Sequence, residues 1–180
     1  NFSLDTDLTF FASFYPEDLE CDHTKESDVF TVFSLPGYDT AVSYNSFQRY
    51  NFVTFDKDEK AFYINSDIKT NHQTIICVTI SLKESKIKLY QDGILIGETE
   101  GFKDLRSYED VDIFYLGAGN PNRDGDPNMF KGLIDSFAVI KKSLSEEEIV
   151  ELSESQKFGK YKLSKELHIL YNARNIRNYR

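Results

Sequence analysis

Forty residues, Ile113–Leu152, do most to decide what this chain can fold into: IFYLGAGNPNRDGDPNMFKGLIDSFAVIKKSLSEEEIVEL. A short apolar run, Ile113–Leu116, stops at Gly117. A polar loop carrying Asn120, Pro121, Asn122, Asp124, Gly125, Asp126, Pro127 and Asn128 follows, and then a second apolar run, Leu133–Ile140. A helix start comes next. Ser145 stands at the N-cap and Glu148, three residues on, completes a capping box, with Leu144 and Ile149 placed as a hydrophobic staple. Glu146, Glu147 and Glu148 also put negative charge at the positive end of the helix dipole. The stretch therefore predicts strand, long loop, strand, and a short helix over Ser145–Ser155.

The rest of the chain is read as strands. Leu8–Tyr15 is apolar on both faces, as in the middle of a sheet covered on both sides, and Pro16 closes it. Val29–Leu35 ends at Pro36-Gly37. Thr40–Tyr44, Phe47–Phe55 and Ala61–Ile64 are more polar and alternate, with Phe62 and Ile64 set against Tyr63 and Asn65. Such strands have one buried and one wet face. Thr74–Leu82 puts Ile76, Val78, Ile80 and Leu82 on one side in strict period two. Lys86–Gln91 turns Ile87 and Leu89 inward and Lys86, Lys88 and Tyr90 outward. Asp92-Gly93 suits a two-residue type I′ turn, because both positions need positive φ, and Ile94–Glu98 returns. Short strands with turns between them and one late helix predict an all-β sandwich.

Four motifs in order resemble the laminin-G-like members of the concanavalin A-like lectin/glucanase superfamily. They are Lys86-Ile87-Lys88-Leu89-Tyr90-Gln91-Asp92-Gly93, Tyr115-Leu116-Gly117, Phe130-x-Gly132-x-Ile134-Asp135 and Leu144-Ser145-x-x-Glu148-Ile149. Phe14 stands where that family usually has a tryptophan. The resemblance covers most of residues 7–155. It implies a two-sheet antiparallel jelly-roll sandwich over residues 1–155 with one short C-terminal helix. Residues 156–180 follow as a basic extension or a linker to a further domain; within them Leu167, Ile169 and Tyr171 alternate like a strand, while Leu163, Leu167 and Leu170 would share one helix face behind Ser164, and Leu170–Tyr179 resembles the lead-in strand of a further domain in phage and giant-virus surface proteins.

Charge is unevenly placed. The chain as a whole carries −9. Residues 156–180 hold seven lysines and arginines against Glu166 alone, so a +6 tail follows a −15 body. An acidic body of this kind excludes nonspecific nucleic-acid binding, which needs clustered cations against phosphate. The tail either lies on its own body or docks to neighbouring subunits of an assembly. No apolar run is long enough to span a membrane. The chain begins at Asn1 and not at Met, as a processed or excised piece does, and an extracellular or virion surface is the setting expected. Of the two cysteines, Cys77 lies in an apolar strand as a small hydrophobe and Cys21 in a polar loop; a bridge between them stays open.

Candidate chemistry divides three ways. Glycoside hydrolases of the resembled fold use a Glu-x-Asp-x-x-Glu strand, which this chain lacks, so no catalytic residues are expected. The nearest acidic cluster, Glu109-Asp110-Val111-Asp112, has the wrong spacing, and Asp56, Asp58 and Glu59 read as a solvated turn. The three histidines are isolated. For a metal, the loop supplies Asn120, Asn122, Asp124, Asp126 and Asn128 at alternate positions, oxygen ligands of the kind calcium takes. Lys131 stands where an EF-hand needs its bidentate glutamate, so an EF-hand is rejected, and a surface loop built on Asx turns has the same spelling. Asp135 shares parity with Leu133, Phe137 and Val139; if that face is buried, its carboxylate needs a partner. The resemblance implies that such an Asp helps hold a structural calcium, so Asp124, Asp126 and Asp135 are the expected metal ligands. If Ser136 and Ala138 mark the buried face instead, Asp135 is exposed.

For a ligand, a glycan or a protein partner is expected, the alternative being a purely structural or adhesive module of a viral or bacterial surface assembly. Tyrosine rings stack on sugars and asparagine amides hold hydroxyls. Tyr44, Tyr50, Tyr63 and Asn65 on the polar strands, with Asn120 and Asn122 on the loop, are the expected contacts. The same tyrosines could instead pack the sandwich edge with wet hydroxyls.

Overall fold

The structure is a computed structural model. It describes residues 5–16, 29–35, 40–45, 49–67, 72–105, 115–118, 129–157 and 167–172. In chain order the elements are β1 (Leu8–Pro16), β2 (Val29–Ser34), β3 (Thr40–Asn45), β4 (Arg49–Phe55), β5 (Ala61–Asp67), β6 (Thr74–Ser81), β7 (Lys86–Gln91), β8 (Ile94–Glu100), β9 (Tyr115–Leu116), β10 (Gly132–Ile140), α1 (Glu146–Lys157) and β11 (Leu167–Asn172). They form two antiparallel sheets. One has six strands in the order β11-β10-β1-β6-β7-β8, the other five in the order β5-β4-β3-β2-β9. The expected jelly-roll sandwich and its short C-terminal helix are present.

Period two in the strands explains the packing. Ile76, Val78 and Ile80 of β6 face the interior with Phe10 and Phe14 of β1 and Ile87 and Leu89 of β7. Phe33, Val42, Phe52, Phe62 and Ile64 meet them from the five-stranded sheet. Phe33 lies between Phe10 and Phe137, with ring centroids 5.3 and 5.0 Å away. The opposite parity of the same central strands is apolar for a second reason. Phe11, Ile75, Cys77, Ala138 and Ile140 form a separate cluster with Ile149 and Leu152 of α1. The helix lies on the outer face of the six-stranded sheet, so β1 and β6 are buried on both sides.

Local signals place α1. The Ser145 N–H donates to Glu148 Oε2 (2.9 Å) and the Glu148 N–H donates to Ser145 Oγ (3.3 Å), which completes the capping box. Leu144 packs on the cluster that holds Ile149, as a staple requires. Thr9 Oγ1 donates to the Lys142 carbonyl (2.7 Å) and accepts from the Leu144 N–H (3.1 Å), fastening the turn before the helix to central strand β1. The helix runs two residues beyond its expected end, to Lys157. The β7–β8 hairpin turns at Asp92 (φ 54°) and Gly93 (φ 88°), the positive pair that a type I′ turn requires.

Four readings of the sequence are sharpened by the structure. Tyr90 is buried and not outward into solvent, because its face of β7 joins the cluster under α1. The simple parity of Leu133–Ile140 fails at a β-bulge: Ser13 pairs with Ser136 and Phe14 with Ile134, so Asp135 is the extra residue. A bulge shifts the alternation by one. Ile134 therefore packs against the core beside Phe137 and Val139, while Leu133 and Asp135 are exposed. Asp56 is buried and not solvated; its Oδ1 accepts the Asp58 and Lys60 N–H groups at 3.0 and 2.9 Å. Lastly, Leu167–Asn172, whose alternation reads as a strand or as one helix face, is a strand and pairs antiparallel with β10 as the sixth strand of its sheet.

Candidate functional site

One face of the sandwich is left uncovered by the helix, the outer face of the five-stranded sheet. Its register follows from the strand pairs. A core row runs Leu116–Phe33–Val42–Phe52–Ile64 across all five strands. One residue away, an outer row runs Tyr115–Ser34–Ala41–Val53–Tyr63. Tyr63 is 63% exposed at the β5 end. Tyr115 and Val53 are half-buried, and the small residues Ser34 and Ala41 lie sunk between them. Asn65 is exposed on the next outer row, in register with Asn51. Residues two apart on a strand stand about 7 Å from each other on one face, so an aromatic ring and an amide are set side by side. Four strand spacings separate β5 from β9, about 19 Å of face.

Fixed structure surrounds this face. The Gly117 N–H donates to the Val32 carbonyl and the Phe130 N–H to the Gly117 carbonyl, both at 2.8 Å. These bonds close the base of the loop that contains Asn120 and Asn122. Ser34 Oγ donates to the Ala118 carbonyl (3.2 Å), holding the start of that loop against β2. At the β4–β5 end, the Lys57 N–H donates to the Asp104 carbonyl (2.9 Å). The ion pairs Lys57–Asp104 and Lys103–Asp58, at 3.5 and 3.7 Å, are exposed and add little.

The expected contact residues separate on this frame. Tyr63 and Asn65 share the outer face. Tyr44 and Tyr50 pair with each other and with Ser66, in a row of the core parity, so the register does not align them with Tyr63. Asn120, Asn122, Asp124 and Asp126 lie outside the described residues, as does the cluster 109–112. Asp135 is exposed at the bulge, which removes the buried-carboxylate argument for a metal there. Among the described residues no group of three or more His, Cys, Asp or Glu side chains converges as a metal site. Sequence reasoning missed Tyr115 and Val53. They join the row only through strand pairings that no local pattern encodes.

The family model of the concanavalin A-like lectin/glucanases superfamily, laminin-G type, matches residues 2–150. No curated protein sequence matches the chain. Among solved structures, a candidate carbohydrate-binding protein from Bacteroides ovatus superposes with a TM-score of 0.71 at 12% identity, over 98% of this chain and 47% of that one. This chain thus spans about half of the Bacteroides protein. The CBM40 module of the Ruminococcus gnavus IT-sialidase superposes with a TM-score of 0.65 at 17% identity, over 83% of this chain and 84% of the module; it has also been solved bound to α2,3-sialyllactose. The receptor-binding domain of botulinum neurotoxin type G superposes with a TM-score of 0.61 at 16% identity, over 84% of this chain and 38% of that domain. At these identities the superpositions establish the shared sandwich, and with the match over residues 2–150 the chain belongs to the laminin-G-like branch of the concanavalin A-like lectin/glucanase superfamily.

Proposed function

We propose that this chain is a non-catalytic recognition module that binds carbohydrate on the outer face of its five-stranded sheet. One observation carries the reading. Helix α1 covers the centre of the outer face of the six-stranded sheet, while the other sheet presents Tyr63, 63% exposed, beside exposed Asn65. A tyrosine ring offers a flat apolar face to a pyranose, and a neighbouring amide both donates to and accepts from sugar hydroxyls. The similarity to a module solved with sialyllactose supports a glycan as the ligand. A protein partner at an extracellular or virion surface is the second reading of the same face.

A glycan array probed with the 180-residue chain, with and without calcium, tests this. Saturable binding to a defined set of glycans is expected. No binding in either condition overturns the proposal and leaves the structural or protein-binding reading.

A further inference from the structure

A cleft lies on the other sheet, between the outward faces of β6 and β7 and the turn before α1. Outward side chains of β6 and β7, among them Thr79, Ser81 and Lys88, floor a cleft of ≈ 650 Å³. The turn before α1, with Leu144 and Glu146, forms one wall, and Lys83 and Glu84 form another. This volume is within the range of about 300–1,000 Å³ typical of small-ligand sites. None of these residues belongs to the Tyr63 face.

The charges in the cleft are balanced, and half are already committed. Lys86 is paired with Glu98 and Glu100, each at 3.4 Å, and Lys142 with Glu148. Asp7 accepts the Leu82 N–H at 2.8 Å. Lys83, Lys88, Glu84 and Glu146 have no ion-pair partner among the described residues. Two ammonium groups and two carboxylates thus face one space. A free anion would meet Glu84 and Glu146, and the helix terminus is occupied by its own cap. A free cation would meet Lys83 and Lys88. Hydroxyl groups suit both, since each donates to a carboxylate while accepting from an ammonium.

Tyr90 supplies the independent observation. It lines the cleft with the body of its side chain buried, the residue being 1% exposed. A phenol hydroxyl at a cleft wall can both donate to and accept from a ligand hydroxyl. Burial, and then the charge of Glu146 and Glu98, push its phenol up from the usual tyrosine range, so it stays an O–H donor at neutral pH.

We infer that this cleft is a second ligand site, for a neutral polyhydroxylated small molecule of the mono- or disaccharide class, with Tyr90, Lys88 and Glu146 as contacts. The test is an amide NMR titration of the full chain with galactose, mannose, N-acetylglucosamine and lactose, and separately with inorganic phosphate. At least one sugar is expected to give saturable shifts centred on residues 79–90 and 142–148. Tyr90→Phe should weaken that binding about tenfold, the loss of one hydrogen bond to the ligand, with Tm unchanged. Lys88→Gln should weaken it in parallel. Sugar shifts confined to residues 61–66 would leave the Tyr63 face standing and overturn the second site. Saturable phosphate binding without any sugar, or full affinity in Tyr90→Phe, overturns it as well.

Discussion

The Ser66 hydroxyl on β5 donates to Gln91 Oε1 on β7 at 2.5 Å, a buried hydrogen bond that crosses from one sheet to the other. It fastens the open side of the sandwich, where the five-stranded sheet ends in β5. Ser66 also sits one residue past exposed Asn65, so the same strand turns an amide outward and a tie inward. Ser66→Ala leaves the Gln91 carbonyl buried without this donor. The expected cost is about 1–3 kcal/mol, read as a lower urea midpoint at constant m-value. Replacing Gln91 by Leu in the same variant should recover part of it.

Helix α1 depends on its cap. Ser145→Ala removes one half of the reciprocal pair with Glu148 and should lower stability by about 1 kcal/mol, measured by denaturant unfolding. The hydrogen bond from Lys142, and then that from the Ser145 N–H, hold the Glu148 carboxyl below its usual range. A carboxylate with a lowered folded-state pKa stabilises the fold above its unfolded value of about 4.3 and loses that contribution as pH falls through the folded value. Glu148→Gln should therefore flatten the acid limb of stability against pH and leave the alkaline limb unchanged.

Cys77 is a free thiol beneath α1, and burial pushes it up to about 12. The thiolate is the reactive form. Iodoacetamide at pH 8 should leave the Cys77 peptide unlabelled in the folded protein and label it fully after denaturation, as read by mass spectrometry. Since the unfolded thiol titrates near 8.5, this residue's contribution to stability is present below that pH and declines above it.

Gly132 shows why the Phe130-x-Gly132 motif needs glycine. Its φ is +142°, and an added Cβ would lie 2.2 Å from the Tyr15 carbonyl oxygen and 3.0 Å from Pro16 Cα. Both are backbone atoms of the paired strand, so no side chain can yield. Gly132→Ala should cost more than about 3 kcal/mol or prevent folding; a circular dichroism melt within a few degrees of the parent would contradict this.

Features encoded by neighbours in sequence were legible. The Ser145–Glu148 box, the Asp92-Gly93 turn and the alternation of Ile76, Val78 and Ile80 each specify their structure within a few residues. Features that need a distant partner were not. Asp135 reads as part of an apolar face until the register against Ser13 and Phe14 shows the bulge. Tyr90 follows lysines in an alternating strand and reads as wet until α1 is laid over it. Tyr44 and Tyr50 cluster with Tyr63 by composition, yet pairing with Ser66 puts them in the other parity. Strand register depends on long-range pairing, and a one-residue offset exchanges the faces.

The proposed recognition turns on the exposed ring of Tyr63. Titration calorimetry of the parent chain and Tyr63→Ala with an array-positive glycan tests it most directly. Affinity is predicted to fall at least about tenfold, roughly 1.4 kcal/mol, with Tm unchanged because the side chain is 63% exposed. Equal affinity in the two proteins would contradict it and place recognition elsewhere on the molecule.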